Sequence, residues 1–160
     1  MTAQVGYWGN VGAVTAPHTL DIDPWRLSAS RAAHPSQSAG TLQSPGDLLA
    51  QIAGGLGGVV VPAEVLGTTG TRLERALLLT TPAYDVWVMH WPAGTAADPH
   101  AHDRLVAFHV VSGALVETRT DAAPQTHREG ATVVVPAHMM HRLESTVAAT
   151  TVHVHAKDLL

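Results

Sequence analysis

The chain contains no cysteine, and that absence removes disulfide scaffolds, thiolate zinc sites and cysteine nucleophiles together. It has one lysine, Lys157, a formal charge of −4 and no basic run. A protein that reads nucleic-acid phosphates needs a basic stripe, so nucleic acid is not an expected partner. No window approaches the roughly 20 consecutive apolar residues of a membrane-crossing helix. Residues Met1 to Leu20 lack a positively charged start and a continuous apolar stretch, so no signal peptide is read there. The expectation is a soluble, cytoplasmic protein without membrane partners. At 160 residues and 46% hydrophobic content, the chain is sized for a single core.

What the chain does have is histidine. Its 11 histidines outnumber its 9 lysines and arginines, and all but His18 and His34 lie after residue 89. Without thiolates, imidazole is the metal ligand this chain has most of.

Residues 1–46 are rich in Ala, Ser, Thr, Gly and Pro, and read as a loosely ordered extension with a short helix near Trp25 to Ala33. Asp47 to Ala53 has a helical pattern with a start after Ser44-Pro45-Gly46 and a stop at Gly54-Gly55. From about Arg72 the texture changes to short apolar runs cut by turn residues. Leu73–Leu79, Tyr84–Trp91, Leu105–Val111, Leu115–Thr120, Ala131–Val135, Arg142–Val147 and Thr150–His155 read as strands. Strands of this length with no helices between them predict an antiparallel sandwich or barrel over residues 47–160.

Two blocks carry chemistry. In His100-Ala101-His102, an extended chain rising ~3.3 Å per residue puts both imidazoles on one side, about 6.6 Å apart along the backbone. Rings of that reach converge on one ion at metal–nitrogen distances of roughly 2.1 Å. The second block, Gly130 to His141, is a glycine turn, a short apolar strand, Pro136 and then His141.

Together these blocks resemble the cupin superfamily, whose first motif is G-x5-H-x-H-x3/4-E-x6-G and whose second is G-x5-P-x-G-x2-H-x3-N. Gly94, His100, His102 and Gly113 match the first, and Gly130, Pro136 and His141 match the second. The motif glutamate falls on Val106, the second-block glycine on His138 and the asparagine on Ser145. The resemblance implies an all-β fold, a small double-stranded β-helix barrel with its metal inside. Three neutral imidazoles leave a divalent ion its full charge, which favours an anionic ligand and deprotonates a bound thiol. Val106 shares the parity of His100 and His102, so an apolar group is expected beside the ion.

The three-histidine pattern without glutamate is similar to the cysteine dioxygenase family of thiol dioxygenases, over roughly residues 72–157. Tyr84 to Gly94, Val110 to Thr118, Val152 to His155 and Glu74-Arg75 carry the likeness. It implies that His100, His102 and His141 hold Fe(II), with zinc and nickel as alternatives. It further implies that a small thiol and dioxygen are the substrates, that Arg75 pairs with a substrate carboxylate, and that His153 orients ligands from behind. Thr151, His153 and His155 share one strand face, as that family's serine–histidine–tyrosine relay does, with His155 in the tyrosine position. Cupins occur as monomers or homodimers, and both are carried as expectations.

Other residues receive plainer readings. Arg104 is a rival anion clamp. His138 is read as a fourth polar group near the site or, preferably, a solvent-facing turn residue, and His109 points away from the ion. His90, His127, His18 and His34 are surface or loop histidines. Trp87, Met89 and Trp91 alternate as a strand face and are assigned to core packing. Glu117 and Glu144 are read as solubilising charges or arginine partners. Beside the dioxygenase stands a zinc-holding binding or sensor cupin without turnover. A cupin isomerase using a histidine–tyrosine pair is disfavoured, because the only tyrosines are Tyr7 and Tyr84.

Overall fold

Alternation of side chains decides which residues face which layer. The computed structural model describes residues 43–63 and 70–158, all within one compact unit, Thr41–Leu160. One helix, α1 (Pro45–Gly57), precedes eight strands: β1 (Glu74–Thr80), β2 (Tyr84–Trp91), β3 (Val106–Ser112), β4 (Ala114–Arg119), β5 (Gln125–Arg128), β6 (Thr132–Val135), β7 (His141–Ser145) and β8 (Ala149–Ala156). The expected extension and its short helix near Trp25 lie outside the described residues, except for residues 43–46, which hold the Ser44 cap and the first two residues of α1.

The strands form an antiparallel five-stranded sheet, β1-β2-β8-β3-β6, and a three-stranded sheet, β5-β4-β7. The expected barrel is therefore built as two sheets rather than as one closed ladder. In β2 and β8, Val86, Val88, Val152, Val154 and Ala156 join Leu49 and Ala53 of α1 in one core cluster. The opposite face of the large sheet meets the small one through Trp91, Val106, Phe108, Val110, Leu115, Val135 and Leu143. β3 contributes alternately to both, with Ala107 toward the helix and Val106 and Phe108 between the sheets. The inner strands β2, β8 and β3 of the large sheet are thus covered on two sides, which explains why they read as nearly unbroken apolar runs, whereas the edge strand β1 is exposed.

Ser44 caps α1 by accepting from the Asp47 amide, and Asp47 returns the bond to Ser44, forming a capping box. The expected stop at Gly54-Gly55 is overridden, because α1 continues to Gly57. Bare glycine lets the helix come close to β3. A Cβ at Gly57 would lie 2.3 Å from the His109 ring, which itself bonds Thr132 through Nδ1 at 2.8 Å. Packing outweighs the ~1 kcal/mol that each helical glycine costs relative to alanine. β5 was not expected, since Gln-Thr-His-Arg has no apolar run. It exists because its backbone pairs with β4 from Ala114↔Arg128 to Glu117↔Gln125.

The three motif glycines all have left-handed backbones, with φ of 77° at Gly94, 76° at Gly113 and 82° at Gly130. A Cβ at Gly113 would stand 2.1 Å from the Ala148 carbonyl oxygen, whereas Gly94 has open space around it. Gly94→Ala is therefore expected to cost only the ~1–2 kcal/mol of the left-handed conformation. Gly113→Ala adds a backbone clash and should cost about 3 kcal/mol or more. Urea unfolding of the two variants checks the ranking; equal losses would mean that the Ala148 segment yields freely.

Candidate metal centre

His100 and His102 lie on an extended loop between β2 and β3, not on a named strand. Their alignment comes from pinning. His100 and His141 exchange both backbone hydrogen bonds at 2.9 Å, and the His138 amide donates to the His102 carbonyl at 2.7 Å. His138 holds φ at 62°, the conformation that the motif's glycine would adopt, and it is an exposed turn residue as expected.

The pinning brings the three imidazoles together. Their ring centroids are 4.8 Å apart for His100–His102, 4.7 Å for His100–His141 and 5.3 Å for His102–His141. One nitrogen from each lies within 4.8 Å of the other two. The Nε2 atoms of His102 and His141 are 3.2 Å apart. Two nitrogens each about 2.1 Å from one ion take that separation at an angle of about 100°. The donor set fits a divalent cation with coordination positions left over. His141, only 2% exposed, faces the interior.

Two of the rings have their tautomer set by partners that can only accept. Nδ1–H of His100 donates to the Asp98 carbonyl at 2.7 Å. Nδ1–H of His141 donates to Oε1 of Glu117 at 2.9 Å. Each ring is thereby left with a free Nε2 lone pair toward the trio.

Glu117 corrects the solubilising reading. It is 1% exposed and accepts from three donors: His141, Arg119 at 2.9 Å and His127 at 3.0 Å. Burial alone would raise its pKa, but the bonds from His141, Arg119 and His127 win and hold it down to about 2. His127, expected to be a surface histidine, sits on β5 and is half-buried against this carboxylate. The register explains the cluster: Arg119 pairs with His141 and Leu115 with His127, so Leu115, Glu117 and Arg119 share the inward face of β4. The parity of Glu117 with Leu115 was the signal in the sequence.

The trio opens into a cavity of about 610 Å³. Arg75, His153 and His155 all line it, so the six expected site residues face one space. His153 is buried, stacks on Phe108 at 5.3 Å and meets Thr151 Oγ1 through Nε2 at 2.9 Å. The Trp91 indole donates to that same hydroxyl at 2.9 Å. His155 stands edge-on to His102, with centroids 5.1 Å apart. Arg75 is exposed on β1, its guanidinium carbon 5.5 Å from the Trp87 ring centre.

Three readings change. Arg104 is no rival clamp, because it pairs with Asp158 outside the cavity. Val106 packs between the sheets and does not line the cavity, because the loop bearing His100 and His102 does not continue the register of β3. Trp87, Met89 and Trp91 do line it, although Trp91 also belongs to the core. His109 points toward α1, away from the trio, as expected. Glu144 pairs with Arg142 at 3.2 Å, and His18, His34 and Tyr7 lie outside the described residues.

No protein-family model matches the sequence, and neither does any curated protein. Solved structures do match in fold. A cupin superfamily protein from Desulfitobacterium hafniense aligns with a TM-score of 0.55 at 13% identity, over 64% of this chain and 88% of that one. A cupin-2 domain protein from Shewanella frigidimarina aligns at 0.52 and 15%, over 62% and 95%. The fold is that of the cupins. A chain from a study of DMSP lyases aligns at 0.50 and 22% identity, over 54% of this chain and 48% of that one. Enzymes are thus among the proteins sharing this cupin architecture. Among the described residues, no helix is long and apolar enough to cross a membrane.

Two outcomes are expected of the centre. Glu117→Gln keeps an acceptor oxygen but loses the charge that orients His141. Zinc affinity, measured by chelator competition, should fall about 10- to 100-fold; an unchanged affinity would disconnect the carboxylate from the metal. The second concerns acid. Burial, followed by the neighbouring imidazoles, pushes His102 down from 6.5 to about 4 and His153 well below 6.5. Above pH 6.5 these rings are neutral folded or unfolded and contribute nothing. As pH falls from 6.5 toward 4, only the unfolded chain takes up their protons, so stability declines. The urea midpoint of the metal-free protein should drop across that window, with a shallower slope in His153→Gln. Parallel slopes would show that His153 titrates normally.

Proposed function

We propose that the protein is a mononuclear non-haem iron dioxygenase that oxidises a small thiol, cysteine or a related mercapto-acid, to its sulfinic acid. The observation that carries this reading is the carboxylate-free trio at the end of a cavity whose lining also contains a guanidinium. Iron(II) in that trio would supply the redox chemistry that adds both atoms of dioxygen to a thiolate sulfur, R–SH + O2 giving R–SO2H.

The chain's own groups do the rest. His100, His102 and His141 offer neutral nitrogen donors, so the site's positive charge favours a thiolate over a thiol. Arg75 offers a planar fork for a carboxylate. The Trp91–Thr151–His153 chain holds His153 in one orientation, and the half-buried His155 occupies the place beside His102 where it can hydrogen-bond a ligand. The partners proposed are the thiol and dioxygen, with the protein a monomer or homodimer in the cytoplasm.

A zinc-binding cupin without turnover would use the same donors, since three histidines with an open position also suit zinc. Metal analysis of unsupplemented protein and oxygen uptake by the iron-loaded form separate the two. Uptake is expected with at least one of cysteine, cysteamine, mercaptopropionate and mercaptosuccinate, and silence across all four would reject the dioxygenase. Arg75→Gln should lower kcat/KM for the carboxylate-bearing thiols at least 10-fold more than for cysteamine, from loss of a charge-assisted bidentate pair. Equal losses would remove Arg75 from substrate recognition.

A further inference from the structure

The cavity is large for the simplest thiols, and its walls are unevenly made. About 610 Å³ falls within the range of sites that enclose drug-sized ligands, roughly 300–1,000 Å³. A molecule as small as cysteine would leave most of it to water against apolar walls. Those walls follow from alternation on β2. Val86 and Val88 turn toward α1, so Trp87, Met89 and Trp91 turn the other way, into the cavity. Trp91 is consumed by the core at 1% exposure, but Trp87 and Met89 are only half-buried. Leu73 and Leu143 add apolar surface to the same lining. Apolar surface inside a concave site is the region from which a ligand gains most by displacing water.

Among the described lining residues, the one arginine or lysine is placed against this wall. The guanidinium carbon of Arg75 is 5.5 Å from the Trp87 ring centre. A carboxylate that meets Arg75 therefore carries whatever it is attached to past the face or edge of Trp87. The acidic lining residue, Asp98, belongs to the metal end, where its carbonyl accepts from His100.

We infer that the cavity selects a carboxylate with an apolar body of about phenyl size, lodged on Trp87 and Met89, over cysteine-sized acids. This rests on the reading of the histidine trio as the sulfur-binding end, and it narrows the mercapto-acid class to aryl- or branched-alkyl-substituted members.

The test uses the full-length, zinc-loaded protein, so that binding is read without oxidation. Dissociation constants are measured by isothermal titration for 3-mercaptopropionate and for 2-benzyl-3-mercaptopropionate, which differ by one benzyl group. The benzyl compound should bind ~30-fold more tightly, the effect of burying most of one phenyl ring. In Trp87→Ala the ratio should shrink to about 3 or below. A wild-type ratio near 1, or a ratio unchanged in Trp87→Ala, overturns the inference. If Trp87→Ala does not fold, Met89→Ala takes its place, with the same shrinkage expected and the same unchanged ratio counting against it. The result is separable from the dioxygenase reading. A ratio near 1 beside normal oxygen uptake with 3-mercaptopropionate rejects the apolar subsite alone. A ~30-fold ratio in a protein silent toward all thiols keeps the subsite and rejects the oxidation.

Discussion

The hydrogen bond from His141 to the buried carboxylate of Glu117 is the constraint on which the rest of the site depends. An ionised carboxylate removed from water is costly unless every strong acceptor direction is met. Here the cost is offset by three donors from three strands, His141 on β7, Arg119 on β4 and His127 on β5. The small sheet therefore does more than close the sandwich. Its register brings Arg119 opposite His141 and His127 opposite Leu115, and a one-residue slip would turn Glu117 to the outside. It would also leave His141 free to choose the wrong tautomer.

The same bond bears on charge. The motif places a glutamate among the ligands, where it would cancel one unit of the ion's charge directly. Val106 occupies that position, and Glu117 lies one imidazole further back. Its charge is shared with the Arg119 guanidinium 2.9 Å away, so that pair is close to neutral as a unit. Relative to a ligating carboxylate, such a pair leaves an ion among the three imidazoles more positive. An external anion would then be the natural complement, and the guanidinium of Arg75 lines a different part of the same cavity.

Much of this was legible from residue order, and the exceptions share a cause. His141 joined His100 and His102 only through the likeness to the cupin motifs, whereas seven strands could be read because apolar alternation and turn residues act locally. The motif glycines were readable for the same reason, each demanding a left-handed backbone. What escaped depends on partners distant in sequence. β5 carries no apolar signature and exists through its ladder with β4. The helix runs through Gly54-Gly55 because β3 receives it closely, a gain no local propensity contains. For Glu117 the arginine-partner reading holds through Arg119 and the solubilising one does not; its burial escaped although its parity matched Leu115, because a charged residue on an inward face makes sense only once its three donors are known. Arg104 was misread in the opposite direction, since nearness to His102 along the chain says nothing of Asp158, its partner from the far end.

The large sheet's two faces explain how one cavity comes to hold both an imidazole cluster and an apolar wall. On β8, Val152 and Val154 serve the helix side while Thr151, His153 and His155 serve the cavity side. On the neighbouring β2, Val86 and Val88 serve the helix while Trp87, Met89 and Trp91 turn inward. The register pairs Trp87 with His153, so apolar and imidazole surfaces are set side by side by the ladder itself. β1, next in order and exposed along its whole length, adds Arg75 opposite Met89. Moving outward from β8 through β2 to β1, the inward face passes from imidazole to indole and thioether, then to guanidinium. A molecule lying across those strands would meet imidazoles, apolar surface and a cation in that order. That sequence of chemistries follows from antiparallel pairing and alternation alone, while on the helix side the described buried cluster consists of Leu49, Ala53, Val86, Val88, Ala107, Val152, Val154 and Ala156.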